Sequence, residues 1–194
     1  NGFQKRVGEE KAKNSWVLDI DADEIVTDEM ADEVTKLFEK GTLNIDGFLT
    51  PIITVPPFGK PWYNFARAHR VKLYNKSKVR IPEHKAWDQF KLDGLKIKKL
   101  KHGLLHPSFT GIHMHLDKLN KYSTMLAKLP SKKTSLEIIF RIWLGIPIYF
   151  IHKFIFRGMF RAGTYGFTLS VSSAIGRWLK DVKQFEILMK KRNK

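Results

Sequence analysis

The stretch Trp16–Thr27 reads WVLDIDADEIVT. Its short apolar run, Trp16 to Ile20, has the length of a buried strand and delivers aspartates at every second position, Asp19, Asp21 and Asp23. In an extended chain alternate side chains share a face, so the three aspartates are expected to point the same way while Ile20 and Ala22 point into the fold. Like charges so close repel one another and call for a cation. Carboxylate oxygens are preferred ligands of Mg²⁺ and Mn²⁺, and the carboxyl end of a strand is where open α/β sheets hold ligands. The stretch therefore predicts a divalent-cation site. An EF-hand loop starting at Asp19 is excluded, because Glu24 stands where that loop needs glycine and Met30 where it needs a bidentate acid. The alternative is a solvated turn leading into the next helix, whose cap Thr27 and Asp28 already supply.

Outward from this motif the pattern is mixed. Upstream, Val7–Lys13 is a short helix candidate. Downstream, Thr27 followed by DEMADEVTKLFEKG carries an N-cap, acids in the first turn, apolar residues at Met30, Val34, Leu37 and Phe38, and Gly41 as terminator. GFLTPIITV and HRVKLYN then read as strands separated by the Pro/Gly/Trp-rich loop PPFGKPWYNF, and LKIKKLKHGLLH continues with alternating apolar residues. From Gly111 onward the pattern is helical, broken at Pro130-Ser131. The chain therefore divides into an α/β part, residues 1–115, and a helical tail, residues 116–194.

Charge divides the same way. Of the formal +16, residues 1–117 hold 19 Lys/Arg against 16 Asp/Glu, whereas residues 118–194 hold 16 against 3, a net of +13. A cationic tail points to an anionic partner. In its most apolar piece the longest uncharged run, Ile142–Ile151, has ten residues and contains Gly145 and Pro147. That is too short for a simple span, which needs about 20. Flanking Arg141, Lys153, Arg157 and Arg161, with Trp143 and Tyr149, suit a segment lying in a membrane interface or entering it and turning back, with a buried helix pair as the other reading. Nucleic acid is not the expected partner, because the tail's aromatics are embedded in apolar runs instead of alternating with Lys/Arg. The chain holds no cysteine, so disulfides and thiolate metal sites are excluded.

SWVLDIDADEIVTDEM resembles the strand and DxD motif of family 2 glycosyltransferases with the GT-A fold, and in particular the branch that adds glucose to the lipopolysaccharide inner core. The resemblance continues in order through DGF (Asp46–Phe48), HRVKLYNKSKVRI (His69–Ile81), LLHPSF (Leu104–Phe109), DKLNKYS (Asp117–Ser123) and FRGMFRAGTYGF (Phe156–Phe167). DxD alone is a weak signal, but the ordered set covers nearly the whole chain.

The resemblance implies a GT-A, Rossmann-related α/β portion followed by a basic, membrane-associating helical tail. It implies metal-dependent, inverting transfer of a sugar, glucose in that branch, from a UDP-sugar to a lipid-linked or lipopolysaccharide-core acceptor at the cytoplasmic face of the bacterial inner membrane. Asp21 and Asp23 would be the DxD pair, with Asp23 on the divalent cation and Asp21 on the cation or the donor ribose. His106 matches a position that would complete the metal shell or contact phosphate. Lys5 and Arg70 lie in matching segments as diphosphate or acceptor-phosphate contacts. HKAWDQF makes Asp88 the base, with Trp87 where the family has histidine and with Glu83 and Asp93 as fallbacks. A zinc pair at His113 and His115 is disfavoured, because positions two apart on a helix splay. The family's first strand and Gly/Ser/Asp-rich nucleotide-base region have no counterpart, so the chain is expected to be the C-terminal part of a longer polypeptide. The competing classes are a non-catalytic membrane adaptor and a basic nucleic-acid-binding module.

Overall fold

The computed structural model describes residues 2–41, 43–83, 88–107, 110–131 and 133–192. The chain forms two compact units that divide between residues 108 and 109. The first is mixed α/β and the second is helical.

In the first unit, helix α1 (Gly2–Lys11) precedes strand β1 (Trp16–Leu18), strand β2 (Ile25–Val26) and helix α2 (Asp28–Glu39). Strands β3 (Gly47–Thr54), β4 (Ala68–Asn75), β5 (Ile97–Lys99) and β6 (Leu104–His106) follow. The sheet runs β1-β4-β3-β6-β2, and β5 shares the same edge of β3 with β6. Both β5 and β6 are parallel to β3, and the remaining pairings are antiparallel. LKIKKLKHGLLH thus makes two short strands instead of one alternating run. The gap between them falls at Pro51, since β5 ends opposite Leu49 and β6 starts opposite Ile52. Proline has no N–H to give a neighbouring strand, and the chain re-enters at Gly103, where a Cβ would lie 2.0 Å from the Pro51 carbonyl oxygen.

One sheet face is apolar. Phe48, Ile52, Leu73 and Leu104 form its core with Met30 and Leu100, and Trp16, Val34 and Leu37 pack against it. Helix α2 supplies Met30, Val34 and Leu37 at helical spacing, and its N-cap is Thr27, whose Oγ1 accepts the Met30 N–H at 3.2 Å. Strand alternation turns Lys72 and Tyr74 to the opposite face, toward α1. There the α1 residue Glu9 is fully buried and accepts from Tyr74 Oη at 2.8 Å, from Ile81 N at 2.9 Å and from Arg80 Nε. Burial alone would raise its pKa, but these donors outweigh it and hold the carboxyl below its usual range. Helix α1 starts at Gly2, five residues before the expected Val7, because ions and hydrogen bonds anchor it instead of an apolar stripe: Phe3 and Val7 are exposed.

The helical unit contains α3 (Ile112–Ala127), α4 (Ser135–Ile151) with a π-helical turn at His152–Phe156, a 3₁₀ turn at Met159–Ala162, and the 30-residue α5 (Gly163–Arg192). α5 packs on both other helices. Gly176 lets it approach Leu119 of α3, and Lys183 Nζ donates to Asn120 Oδ1 and Ser123 Oγ at 2.7 and 2.8 Å. Trp178 Nε1 donates to the Ile142 carbonyl at 3.0 Å and fixes α5 against α4. A capping box between Thr134 and Glu137 starts α4. Ser135–Phe156 is continuously helical over 22 residues and therefore long and apolar enough to cross a membrane, about 33 Å against a hydrocarbon core of about 30 Å. The sequence expectation of too short a segment counted only uncharged residues and is corrected on this point. Only 11% of the apolar window is buried, and Leu136, Phe140, Trp143 and Phe156 are exposed.

Replacing Glu9 with Ala leaves the Ile81 N–H and Tyr74 hydroxyl without acceptors. Urea denaturation followed by tryptophan fluorescence is expected to show a loss of about 3 kcal/mol. Glu10→Ala, at an exposed position, is expected to change stability by less than about 0.5 kcal/mol.

Candidate functional site

The aspartate motif does not remain extended. After β1 the chain makes a reverse turn in which Glu24 N donates to the Asp21 carbonyl at 2.9 Å and Asp21 N donates to Glu24 Oε2 at 2.8 Å. The turn sends neighbouring aspartates to different partners. It also leaves Ile20 and Ala22 exposed, correcting the expectation that they point into the fold.

Lys5 of α1 reaches this turn. Its Nζ lies 2.8 Å from Asp19 Oδ2, 2.7 Å from Asp21 Oδ1 and 3.0 Å from Asp88 Oδ2. Lys72 of β4 takes the other Asp21 oxygen at 2.8 Å and Glu24 Oε2 at 2.6 Å. Lys72 and Glu24 have almost no exposed side-chain surface. The repulsion that called for a cation is therefore relieved by two ammonium groups of the chain itself. A cavity of about 70 Å³ opens beside this junction, lined by Lys5, Asp19, His69, Arg70, Lys72 and Asp88 among others.

The electrostatics follow from these contacts. Burial alone would lower the Lys5 pKa, but its hydrogen bonds to Asp19, Asp21 and Asp88 prevail and raise it, so Lys5 remains cationic. Burial would raise Asp21, but Lys5 and Lys72 together bring it down to about 2. For Asp88, too, burial acts upward and is outweighed by Lys5 and by the charge of Arg70, leaving it below its usual range.

Asp21 therefore has both carboxylate oxygens on lysines. Asp23 turns to His106 at the end of β6, with Oδ2 and Nε2 3.3 Å apart and both side chains accessible. A carboxylate oxygen and an imidazole nitrogen so placed can share a divalent cation whose other positions are filled by substrate phosphate and water, the usual manner of Mg²⁺ at phosphate sites. Among the described residues no group of three or more His, Asp or Glu side chains is arranged to hold a metal. The donor set fits a cation shared with a ligand, and does not fit an all-protein cage.

Of the three carboxylates considered as base, Asp88 borders the cavity. Glu83 sits 4.0 Å from Arg6 and Asp93 lies at the turn before β5. Trp87 lies outside the described residues. His113 pairs with Asp117 at 3.5 Å, and His115 is driven down to about 4 by burial and by the charges of Lys153 and Lys118. Lys72 and Glu24 are the site residues that sequence reasoning missed. Their signal was present: in HRVKLYN, alternation puts Arg70, Lys72 and Tyr74 on one face, and a lysine between Val71 and Leu73 in a central strand needs a buried partner.

No family model and no solved structure matches the chain. It is 30% identical over 202 residues to an uncharacterized glycosyltransferase of Rickettsia typhi, covering 98% of this chain and 68% of that protein. It is 29% identical over 203 residues to uncharacterized glycosyltransferases of Rickettsia felis and Rickettsia conorii, covering 98% of this chain and 71% of each. The chain belongs to this family of glycosyltransferases. Membership implies a sugar donor and an acceptor.

Lys72→Met removes one of the two ammoniums that depress Asp21. A carboxyl whose pKa is lowered by folding stabilises the fold above its ordinary 3.8 and loses that contribution as pH falls toward 2. In Lys72→Met, carboxyl-resolved NMR is expected to show Asp21 titrating at higher pH, and acid unfolding is expected to begin at higher pH. An unchanged Asp21 titration contradicts the pairing.

Proposed function

We propose that this chain carries the catalytic site of a family 2, GT-A-type glycosyltransferase. It would move a sugar, glucose by resemblance, from a UDP-sugar to a lipid-linked or lipopolysaccharide-core acceptor with inversion, at the cytoplasmic face of the bacterial inner membrane. The observation that carries this reading is the Lys5 junction: one ammonium held by Asp19, Asp21 and Asp88 at the edge of a cavity that Arg70 also lines.

The reaction needs two things of such a site. The acceptor oxygen forms a bond to the anomeric carbon as the bond from that carbon to the donor diphosphate breaks, so a base must take the acceptor proton and a cationic surface must meet the departing charge. Asp88 is the base in this reading. While Lys5 holds it, its pKa is low and it is a weak base. A diphosphate competing for Lys5 weakens that hold, raises the Asp88 pKa and readies it for the proton. Arg70 and Lys5 face the phosphate, and Asp21 orients Lys5 through its fixed contact with Lys72. A divalent cation, Mg²⁺ or Mn²⁺, held by Asp23 and His106 would supply further neutralisation of the diphosphate. The exposed apolar face of α4, with its flanking cations, supports attachment of the chain to a membrane surface, where a lipid-linked acceptor is found.

The test is UDP affinity by calorimetry, together with release of UDP from UDP-glucose in the presence of lipopolysaccharide core acceptor. UDP affinity is expected to fall at least about tenfold in EDTA and in Asp23→Ala. Asp88→Asn is expected to bind UDP at least as tightly, because Lys5 loses a competing carboxylate, and to lose roughly 10²–10⁴ in turnover. Metal-independent UDP binding overturns the role of Asp23 and His106, and full turnover by Asp88→Asn overturns the role of Asp88.

A further inference from the structure

A groove of about 500 Å³ runs along one stripe of α4, with Lys133 and Arg141 at its polar side and Leu136, Phe140, Ile148 and Tyr149 along its apolar side. Behind it lies Asp181 of α5, fully buried. Asp181 Oδ2 accepts from Arg141 Nε at 3.1 Å and from Tyr149 Oη at 3.2 Å. Its Oδ1 receives no hydrogen bond, with the ammoniums of Lys133 and Lys180 at 3.6 and 3.7 Å. Arg177 and Arg141 both lie over the Tyr149 ring, each 5.4 Å from its centroid. Three cations, Lys133, Arg141 and Lys180, thus surround a single buried acid, and Arg177 lies on the Tyr149 ring beside them. The other acid of the groove, Glu137, is engaged at its own helix cap, accepting from Thr134 N at 2.7 Å. Positive charge exceeds negative here, since Lys133, Arg141 and Lys180 share the one carboxylate of Asp181.

Charge and shape select the same ligand. The surplus cations want a compact anion, the adjoining wall of leucine, phenylalanine and isoleucine wants a hydrocarbon chain, and Leu136 and Phe140 are 77% and 58% exposed at the rim. An anion without a chain would leave the apolar wall in water, and a chain without an anion would leave the cations unmatched. We propose that this groove binds an anionic phospholipid, with the headgroup phosphate between Lys133 and Arg141 and the start of an acyl chain along Leu136, Phe140 and Ile148. The site rests on the reading of α4 as a membrane-facing helix. It gives that helix a lipid preference in addition to general attraction to negative charge.

The test titrates the full chain by calorimetry with dihexanoyl phosphatidic acid below its micellar concentration, against dihexanoyl phosphatidylcholine and inorganic phosphate. The phosphatidic acid is expected to bind at least about tenfold more tightly than the choline lipid. Lys133→Glu is expected to abolish that difference and Lys133→Arg to retain it. Phosphate in about tenfold excess is expected not to displace the lipid. Equal affinity for the two lipids overturns the site, as do unchanged selectivity in Lys133→Glu and displacement by free phosphate. So does dimerisation of the lipid-free chain that covers the groove and leaves it unresponsive to lipid. Cosedimentation with vesicles of phosphatidylcholine, alone or with phosphatidylglycerol, separates this site from the membrane reading. Failure to sediment with either vesicle while the short-chain selectivity persists overturns membrane attachment and supports the groove. Sedimentation with both vesicles to the same extent, without short-chain selectivity, overturns the groove and keeps membrane attachment.

Discussion

Four carboxylates, Asp19, Asp21, Glu24 and Asp88, meet at one strand end, and they can be held there only because Lys5 and Lys72 lie among them. Removing either ammonium would leave like charges within contact distance in a partly buried site, at a cost of several kcal/mol. The rest of the first unit is arranged around this requirement. Strand alternation in β4 sends Leu73 to the apolar core and Lys72 to the opposite face. Helix α1 is drawn onto that face by Glu9, which Tyr74 and Ile81 hold in place. Lys5 is carried in with it.

The same arrangement separates the roles of the three aspartates. Their strict spacing suggested one shared cation, yet the turn closed by Asp21 and Glu24 divides them: Asp19 and Asp21 on lysine, Asp23 on His106. Asp21 has both oxygens engaged by lysines. Asp23 and His106 pair with each other and stay accessible to solvent. Lys5 connects the aspartate loop to Asp88, so any anion that competes for Lys5 acts on the basicity of Asp88 as well. Binding and proton transfer are coupled through one ammonium in this account of sugar transfer.

Much of the fold was legible because it follows from local rules. Thr27 and the acids after it marked the start of α2, GFLTPIITV and HRVKLYN were strands, and the helical character after Gly111 was plain. What could not be read depended on partners distant in sequence. The start of α1 was hidden because Phe3 and Val7 form no buried stripe, and its anchor, Glu9, acts through residues more than sixty positions away. The break between β5 and β6 depends on Pro51 in a different strand. Of the site, Asp88, Arg70 and Lys5 were expected from resemblance and line one cavity, whereas Lys72 looked like an ordinary basic residue in a strand. Its burial shows only when the two faces of β4 are assigned. In the helical unit, counting uncharged residues understated the length of the continuous helix Ser135–Phe156, because a helix tolerates Arg141 and Lys153 where their side chains find partners on α5.

The most direct test of this coupling is the titration of the Asp88 carboxyl, followed by carbon-detected NMR, in the free chain and with saturating UDP and Mg²⁺. The account predicts a low pKa in the free chain and a clear rise once the diphosphate engages Lys5. Bound UDP with an unmoved Asp88 titration would contradict it.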